Sequence, residues 1–265
     1  MRPFAGLLLV FCLAACDPSA PPPATWDDLD ASRPDGSFRV GSPSVGGGGG
    51  GGGGTTRPPE CGARVLVVFD RSGSMNEAWT TDAGEEAPRW QVASDALTAA
   101  LEPLAARIVA GAILFPTSME REPGLCAEVD PIGAQLPFRD GAAFLSAWRA
   151  LWAHGEVGGS TPLDVAFRRA DEALPIDDEV TAVVVLTDGM PTCAEATAAW
   201  DYAAEWSARG VQTWVVGLPG AFGVDVLDQI AAAGGTGAAL SVDDPAALTS
   251  ALSGIVGDAV DQACP

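Results

Sequence analysis

Short apolar runs alternate with segments of helical periodicity between Cys61 and Cys264, and this alternation restricts the chain to few folds. The runs are bounded by Gly, Pro or Asp, which is typical of buried strands. They are Val65–Phe69, Ala110–Phe115, Ala182–Leu186, Thr213–Gly217 and Ala238–Val242. Helical spacing is found in Pro88–Arg107, Ala142–Trp152, Pro162–Leu174, Glu195–Arg209, Val224–Ala233 and Pro245–Val260. This order predicts an α/β fold: a Rossmann-like, doubly wound, mostly parallel sheet with helices on both faces.

One segment departs from the alternation, because no helical pattern lies between Phe115 and Ala142. Ala134–Phe138 is predicted to return there as an antiparallel edge strand, which gives a six-stranded sheet. Glycines after Arg209 and Ala233 predict that helices end at these points. The tryptophans within predicted helices are interpreted as core residues: Trp90, Trp148, Trp152, Trp200 and Trp206.

The N-terminus has the pattern of an export signal that ends in a lipidated cysteine. Arg2 precedes an apolar stretch, Phe4–Leu13, which runs into Leu13-Ala14-Ala15-Cys16. The last four residues resemble the lipobox of bacterial lipoproteins. This resemblance implies that residues 1–15 are a signal peptide and that Cys16 carries acyl chains. The chain would then be anchored in the inner or outer membrane of a bacterial envelope, facing the periplasm or the cell surface. An ordinary signal peptide and an apolar N-terminal helix are the alternatives.

Residues 16–60 are predicted to be a disordered tether before the folded domain, residues 61–265. The segment contains a cluster of prolines, Pro21–Pro23, and an unbroken glycine run, Gly46–Gly54. Such a composition buries too little apolar surface to offset the chain entropy that folding costs. A phosphate-binding glycine loop is the alternative, but no strand precedes the run and no Gly-Lys-[Ser/Thr] follows it.

The charge of the chain excludes several functions. Acidic residues outnumber basic ones by 35 to 14, which gives a formal net charge of −21. Such a chain repels nucleic-acid phosphates and anionic lipid surfaces, so we expect no nucleic-acid partner and no membrane contact beyond the lipid anchor. The only histidine is His154, which argues against histidine triads and histidine-rich zinc sites.

Oxygen-bearing side chains follow two predicted strands and precede one helix. Asp70, Ser72 and Ser74 come directly after the first strand, and Asp188 follows the strand that begins near Ala182. Thr161 stands in a glycine-rich segment that opens a helix, at or next to the residue that caps it. Two carboxylates and three hydroxyls, without thiolate or imidazole, favour Mg²⁺, Mn²⁺ or Ca²⁺ over zinc or copper.

This set resembles the metal-ion-dependent adhesion site of von Willebrand factor type A domains. The resemblance rests on Asp70-x-Ser72-x-Ser74, Thr161 and Asp188-Gly189, and the strand–helix alternation extends it to the whole folded segment. It implies a strand order of 3-2-1-4-5-6, with the site at the point where the order reverses. It also implies that the two serines bind the metal directly, that the threonine binds it directly or through water, and that the aspartates act mainly through waters.

The donor set predicts a binding module in which a partner carboxylate completes the metal coordination. Neutral hydroxyls leave the dication incompletely neutralised, and Mg²⁺ keeps waters where protein ligands are lacking. An Asp or Glu of a protein ligand can displace one of these waters. The alternative is a structural or assembly subunit of an envelope complex.

A more distant alternative is a phosphatase of the haloacid-dehalogenase type, in which Asp70 would be the nucleophile. That family has a second aspartate where this chain has Ser72, and the chain contains no lysine to neutralise a phosphoryl group. A serine hydrolase is disfavoured because Gly-x-Ser-x-Gly is missing. We therefore expect no enzymatic activity.

Four cysteines remain after the leader and the lipidated residue, and an even number in an exported domain predicts two disulfides. Three connectivities are possible. Because the ends of a domain often lie close together, Cys61 is expected to pair with Cys264 and Cys126 with Cys193. Trp79 follows the metal motif and has two interpretations, as an exposed contact on the ligand rim or as a lid folded onto the domain.

Overall fold

The described part of the chain comprises residues 62–81, 83–117, 129–130, 135–153, 157–174, 181–189, 191–192, 197–221 and 223–265 of a computed structural model. All of them belong to one unit, Gly53–Pro265. The predicted signal peptide, lipidation site and tether lie outside the described residues. The same is true of Cys61, Cys126, His154 and Cys193.

Eight strands and six α-helices follow one another along these residues. The strands are β1 (Ala63–Asp70), β2 (Ala78–Thr80), β3 (Glu86–Pro88), β4 (Ile108–Phe115), β5 (Leu136–Asp140), β6 (Ala182–Thr187), β7 (Gln212–Gly217) and β8 (Leu240–Ser241). The α-helices are α1 (Arg89–Leu101), α2 (Gly141–Trp152), α3 (Leu163–Ala173), α4 (Thr197–Ala208), α5 (Val224–Ala233) and α6 (Pro245–Ala263). Short 3₁₀ helices lie at Gly73–Asn76 and Glu102–Arg107.

The main sheet has six strands in the order β5-β4-β1-β6-β7-β8. All neighbours are parallel except β5, which runs antiparallel to β4 at the edge. Counted in chain order within this sheet, the strands stand 3-2-1-4-5-6. The predicted fold class and its antiparallel edge strand are therefore confirmed.

The central strand β1 is buried on both faces. Val65, Val67 and Phe69 pack into a core that also contains residues of α1, α2 and α6. Leu66 and Val68 point to the other face and pack with residues of α3, α4 and α5. This two-sided burial explains why the strand is a continuous apolar run in the sequence.

An aromatic cluster supports the end of β1 that leads to the predicted metal motif. The ring of Phe69 lies 5.2 Å from the rings of both Trp148 and Trp152, measured between centroids. Trp152 also stacks on Trp90 at 4.8 Å, and the indole N–H of Trp148 donates to Ser94 Oγ at 3.0 Å. Trp148 is fully buried in the core, and Trp90 and Trp152 are partly buried against it, so their predicted role in core packing is confirmed.

Several element boundaries differ from the predictions. Helix α1 ends at Leu101 and continues as the 3₁₀ segment, since Pro103 has no N–H to donate and its ring crowds the preceding turn. The last strand has only two residues, and Gly237 before it has a φ of 92°. Helix α6 continues to Ala263, and the hairpin of β2 and β3 was not predicted.

Helix α2 begins in close contact with the 3₁₀ segment, and this contact requires glycine. A Cβ placed on Gly141 would stand 2.6 Å from the carbonyl oxygen of Ala105 and 2.6 Å from Ile108 Cγ1. We expect Gly141→Ala to lower the free energy of unfolding by about 1–3 kcal/mol, because backbone must shift to admit the methyl group. Gly254→Ala on α6 is the control, since no atom outside its own stretch of helix backbone lies within 4 Å of its Cβ position. Urea unfolding of both variants tests this, and an unchanged midpoint for Gly141→Ala would contradict it.

Candidate metal centre

Parallel pairing brings the predicted metal residues to one edge of the sheet. β1 ends at Asp70, and β6, its neighbour, ends immediately before Asp188. The carboxyl ends of adjacent parallel strands meet at the same edge, so these two carboxylates lie side by side. Thr161 directly precedes Pro162, the N-cap residue of α3. It therefore lies next to the cap, which is one of the two positions that the sequence predicted for it.

Hydrogen bonds connect four of the five predicted residues. Ser72 Oγ and Ser74 Oγ lie 3.1 Å apart, and the Ser74 hydroxyl donates to Asp188 Oδ1 at 2.7 Å. Asp70 Oδ1 accepts from the backbone N–H of Ser72 at 2.7 Å, and its Oδ2 accepts from the hydroxyl of Thr187 at 2.6 Å. Asp70 and Asp188 are at most 1% exposed. Ser72 is equally buried at 1% exposed, whereas Ser74 is partly buried.

The fifth residue, Thr161, joins the cluster through neighbouring loops. Its hydroxyl lies 3.8 Å from the point where a Cβ on Gly189 would stand, which places it beside the turn that follows Asp188. Its N–H donates to Thr192 Oγ1 at 2.8 Å, and its carbonyl accepts from the N–H of Thr192 at 3.1 Å. These bonds tie the start of α3 to the loop that follows β6.

Backbone hydrogen bonds fix the loop that carries Ser72 and Ser74 (the serine loop, residues 71–77) against the glycine-rich loop before α3 (residues 158–162). The N–H of Gly73 donates to the carbonyl of Gly159 at 3.1 Å, and the N–H of Gly158 donates to Arg71 at 2.9 Å. Met75, the third residue of the 3₁₀ turn, is fully buried and anchors the serine loop in the core. The hydroxyls therefore stand on loops that are held at both ends.

Burial determines the protonation of Asp70. Desolvation and, after it, the nearby charge of Asp188 raise the pKa of this carboxyl from 3.8 to about 7. The hydrogen bonds from Thr187 and Ser72 oppose the shift without cancelling it. A dication next to this group would favour the ionised form, so binding of a metal here would be coupled to loss of the Asp70 proton.

Two residues of the site were missed by the sequence analysis. Thr187 donates to Asp70, and its position directly before Asp188-Gly189 was the available signal. Arg89 donates from Nη1 to Asp188 Oδ2 at 2.8 Å and from Nη2 to Glu77 Oε2 at 2.6 Å. Arg89 is the only basic residue between Arg71 and Arg107, but no spacing in the sequence indicates that its guanidinium reaches the site.

The oxygen atoms of the cluster have the spacing of neighbouring ligands on a small dication. Ligands at right angles on an octahedral Mg²⁺, with bonds of about 2.1 Å, stand about 3.0 Å apart. The serine–serine separation of 3.1 Å and the Ser74–Asp188 separation of 2.7 Å lie close to this value. In the described part of the chain, no three His, Cys, Asp or Glu side chains group together to hold a metal. A metal here therefore depends on the hydroxyls, a donor set that fits Mg²⁺, Mn²⁺ or Ca²⁺.

Trp79 corresponds to the second of its two interpretations. It lies on β2, is 6% exposed, and packs in the same core as Phe69 and Met75. The exposed ligand-rim position assigned to it is not what the structure shows, because the β2–β3 hairpin folds the indole inward.

Of the cysteines, Cys264 lies among the described residues and is disulfide-bonded there. The pairing of Cys61 with Cys264 and of Cys126 with Cys193 stays a prediction.

Comparisons with known proteins bear on the fold. No family model and no curated protein matches the sequence. Among solved structures, the conserved hypothetical protein BatB from Bacteroides thetaiotaomicron matches with a TM-score of 0.55 and 19% identity, over 76% of this chain and 100% of that one. An aerotolerance-related membrane protein from Bacteroides fragilis matches with a TM-score of 0.53 and 20% identity, again over 76% and 100%. The pilus adhesin SpaC from Lactobacillus rhamnosus GG gives 0.52 and 14%, over 76% of this chain and 31% of the adhesin.

The described residues share their fold with BatB and with the aerotolerance-related membrane protein, and their strand order is the one that the resemblance to von Willebrand factor type A domains implied. The strand order, the antiparallel edge and the helices on both faces are those that the sequence resemblance implied. No helix in the described residues is both long enough and apolar enough to span a membrane.

The raised pKa of Asp70 predicts a pH-dependent stability in the presence of a chelator. Between about pH 4 and pH 7 the folded state keeps a proton that the unfolded state releases, so the free energy of unfolding falls as the pH rises through this window. We expect Asp70→Asn to remove this component, which amounts to a few kcal/mol at about 1.4 kcal/mol per pKa unit. Urea unfolding at pH 4.5 and 7.5 measures the difference. Asp261→Asn, an exposed change of the same charge, serves as control, and equal pH dependence in all three proteins would contradict the assignment.

Proposed function

We propose that this protein binds a protein ligand through a divalent cation, and that a lipid on Cys16 anchors it in a bacterial envelope membrane. Mg²⁺, Mn²⁺ or Ca²⁺ would be held by the oxygen cluster at the carboxyl ends of β1 and β6. The observation that carries the proposal is this meeting of hydroxyl and carboxylate oxygens at the spacing of neighbouring metal ligands. The cluster consists of Asp70, Ser72, Ser74, Thr161 and Asp188.

The hydrogen bonds divide these residues into two roles. Both oxygens of Asp70 already accept bonds from protein donors, so this carboxylate supports the loop from behind. The hydroxyls of Ser72 and Ser74 belong to a loop that backbone hydrogen bonds hold in place, and we assign them direct contact with the cation. Ser72 is 1% exposed and Ser74 is partly buried. When bound, the cation supplies a positive centre that accepts a carboxylate.

The neutral donors explain why a partner carboxylate is needed. Three of the five residues contribute hydroxyls, which leave much of the dication's charge uncancelled. An Asp or Glu side chain of the ligand would take the place of a metal-bound water. The net charge of −21 repels acidic partners at a distance, so recognition depends on the local field at the site and on the contacts around it.

The geometry also supports a binding role over a phosphatase. A carboxylate nucleophile needs an oxygen directed at its substrate, whereas Asp70 is fully buried with both oxygens engaged. A structural or assembly role in an envelope complex is the second candidate, and it is favoured by the hydrogen bonds that close the cluster on itself. The fold likeness to a pilus adhesin is compatible with either role.

Metal titration tests the proposal. Full-length protein purified in detergent should bind Mg²⁺ or Mn²⁺ at one saturable site in a calorimeter. Acetate, which stands in for the ligand carboxylate, should tighten that binding. The Ser72→Ala, Ser74→Ala double variant should lose at least tenfold in metal affinity, because both hydroxyl ligands are removed.

The matched control is the double variant Ser250→Ala, Ser253→Ala on the exposed face of α6, which should bind metal as the wild type does. If folded wild type binds no metal with or without acetate, metal-dependent binding is wrong and the structural role is favoured. Binding that acetate does not affect would argue against the carboxylate as the recognised group.

The lipid anchor has its own test. Expressed in a bacterium, the full chain should partition into the detergent phase of Triton X-114, whereas Cys16→Ser should move to the aqueous phase. Cys12→Ser, which lies in the predicted leader, is the control and should behave as the wild type. Equal partitioning of wild type and Cys16→Ser would contradict lipidation at this residue.

A further inference from the structure

A buried arginine lies directly against the candidate metal centre. The side chain of Arg89 is 10% exposed and that of Asp188 is 0% exposed, so the ion pair between them is almost completely removed from water. The second guanidinium nitrogen pairs with Glu77, whose side chain is 65% exposed at the surface. The backbone N–H of Arg89 also donates to the carbonyl of Glu77 at 3.0 Å. Arg89 therefore joins the start of α1, the serine loop and the turn after β6.

The structure leaves the guanidinium little freedom to move away. Gly220, with a φ of 82°, packs over it, and a Cβ at this position would stand 2.8 Å from Nη2 and 3.2 Å from Cζ of Arg89. The turn after β7 therefore contacts the guanidinium directly and limits its movement.

Asp188 divides its two oxygens between the arginine and the hydroxyls. Oδ2 accepts from Arg89 at 2.8 Å, and Oδ1 accepts from the Ser74 hydroxyl at 2.7 Å. A buried carboxylate with no cation beside it is strongly disfavoured, so Arg89 supplies the positive charge that this position requires. A dication bound at the hydroxyls would share the same carboxylate with the guanidinium and would be repelled by it.

We propose that Arg89 is the resident counter-cation of the site: it holds Asp188 in place without metal and lowers the affinity of the site for a divalent cation. The inference deepens the proposed function and rests on it. A site weakened in this way binds its cation well only when a ligand carboxylate adds negative charge, so cation and ligand bind cooperatively.

The test compares Arg89→Gln with Arg89→Lys in full-length protein, with Arg149→Gln as control. Arg149 pairs with Glu102 on an exposed surface, where a salt bridge contributes little. Calorimetric titration with MgCl₂ and MnCl₂ gives the affinities, and thermal unfolding in EDTA and in 20 mM MgCl₂ gives the stabilities.

We expect Arg89→Gln to bind the cation at least tenfold more tightly than the wild type, although its Tm in EDTA falls by about 5–15 °C. Magnesium should restore that Tm, because the dication replaces the lost charge. Arg89→Lys keeps the charge and should stay within threefold of the wild-type affinity, and Arg149→Gln should not differ from the wild type. A purely structural role predicts the opposite for Arg89→Gln, namely weaker metal binding.

The outcomes separate this inference from the proposed function. If the wild type binds metal and Arg89→Gln binds it equally well or more weakly, the counter-cation role of Arg89 is wrong and the proposed function still stands. Tight binding by Arg89→Gln alone would support the counter-cation and show that the natural chain does not use a metal. No binding by any protein would overturn both. The inference would also be overturned if Arg89→Gln stayed unfolded in magnesium. The same holds if Arg89→Lys showed the tighter metal binding and the lower Tm in EDTA that are expected of Arg89→Gln.

Discussion

Parallel pairing between β1 and β6 is the constraint on which the site depends. It places Phe69 opposite Leu186 and so brings the carboxylates of Asp70 and Asp188 to adjacent strand ends. Packing on both faces of β1 holds this register, because a slip of one residue would exchange the side chains that fill the two cores. The aromatic cluster around Phe69 adds rigidity next to the motif. A catalytic or binding loop gains precision when it starts from such a strand.

Two buried carboxylates lie at the same edge of the sheet, and a different interaction stabilises each of them. Asp70 receives two hydrogen bonds and has its pKa raised to about 7, so near neutral pH it is partly protonated. Asp188 receives the guanidinium of Arg89. These interactions hold the cluster together without a dication. Under the proposed function, this arrangement suits a site that responds to a cation and a ligand together better than one that holds a metal permanently.

Much of the fold was predictable because each local signal pointed to the same architecture. Apolar runs predicted the strands of the main sheet to within two residues at either end. Glycines after Arg209 and Ala233 marked helix ends, where Gly210 and Gly235 have φ of 88° and 82°. The β2–β3 hairpin escaped prediction because its strands are three residues long and lie in a polar segment. The inward position of Trp79 escaped for the same reason, since no periodicity in three residues shows which side is buried.

The sequence by itself determined the fold class and the location of the five oxygen donors. Parallel strands end at one edge of a sheet, so the order of the motifs along the chain was enough to bring Asp70, Ser72, Ser74, Thr161 and Asp188 together. Only the tertiary structure decided which groups stand behind them. Thr187 and Arg89 act through distances of 2.6 Å and 2.8 Å between residues that are 117 and 99 positions apart. Such contacts depend on how a hairpin, a helix start and two turns close over the sheet, and no local pattern in the chain encodes that closure.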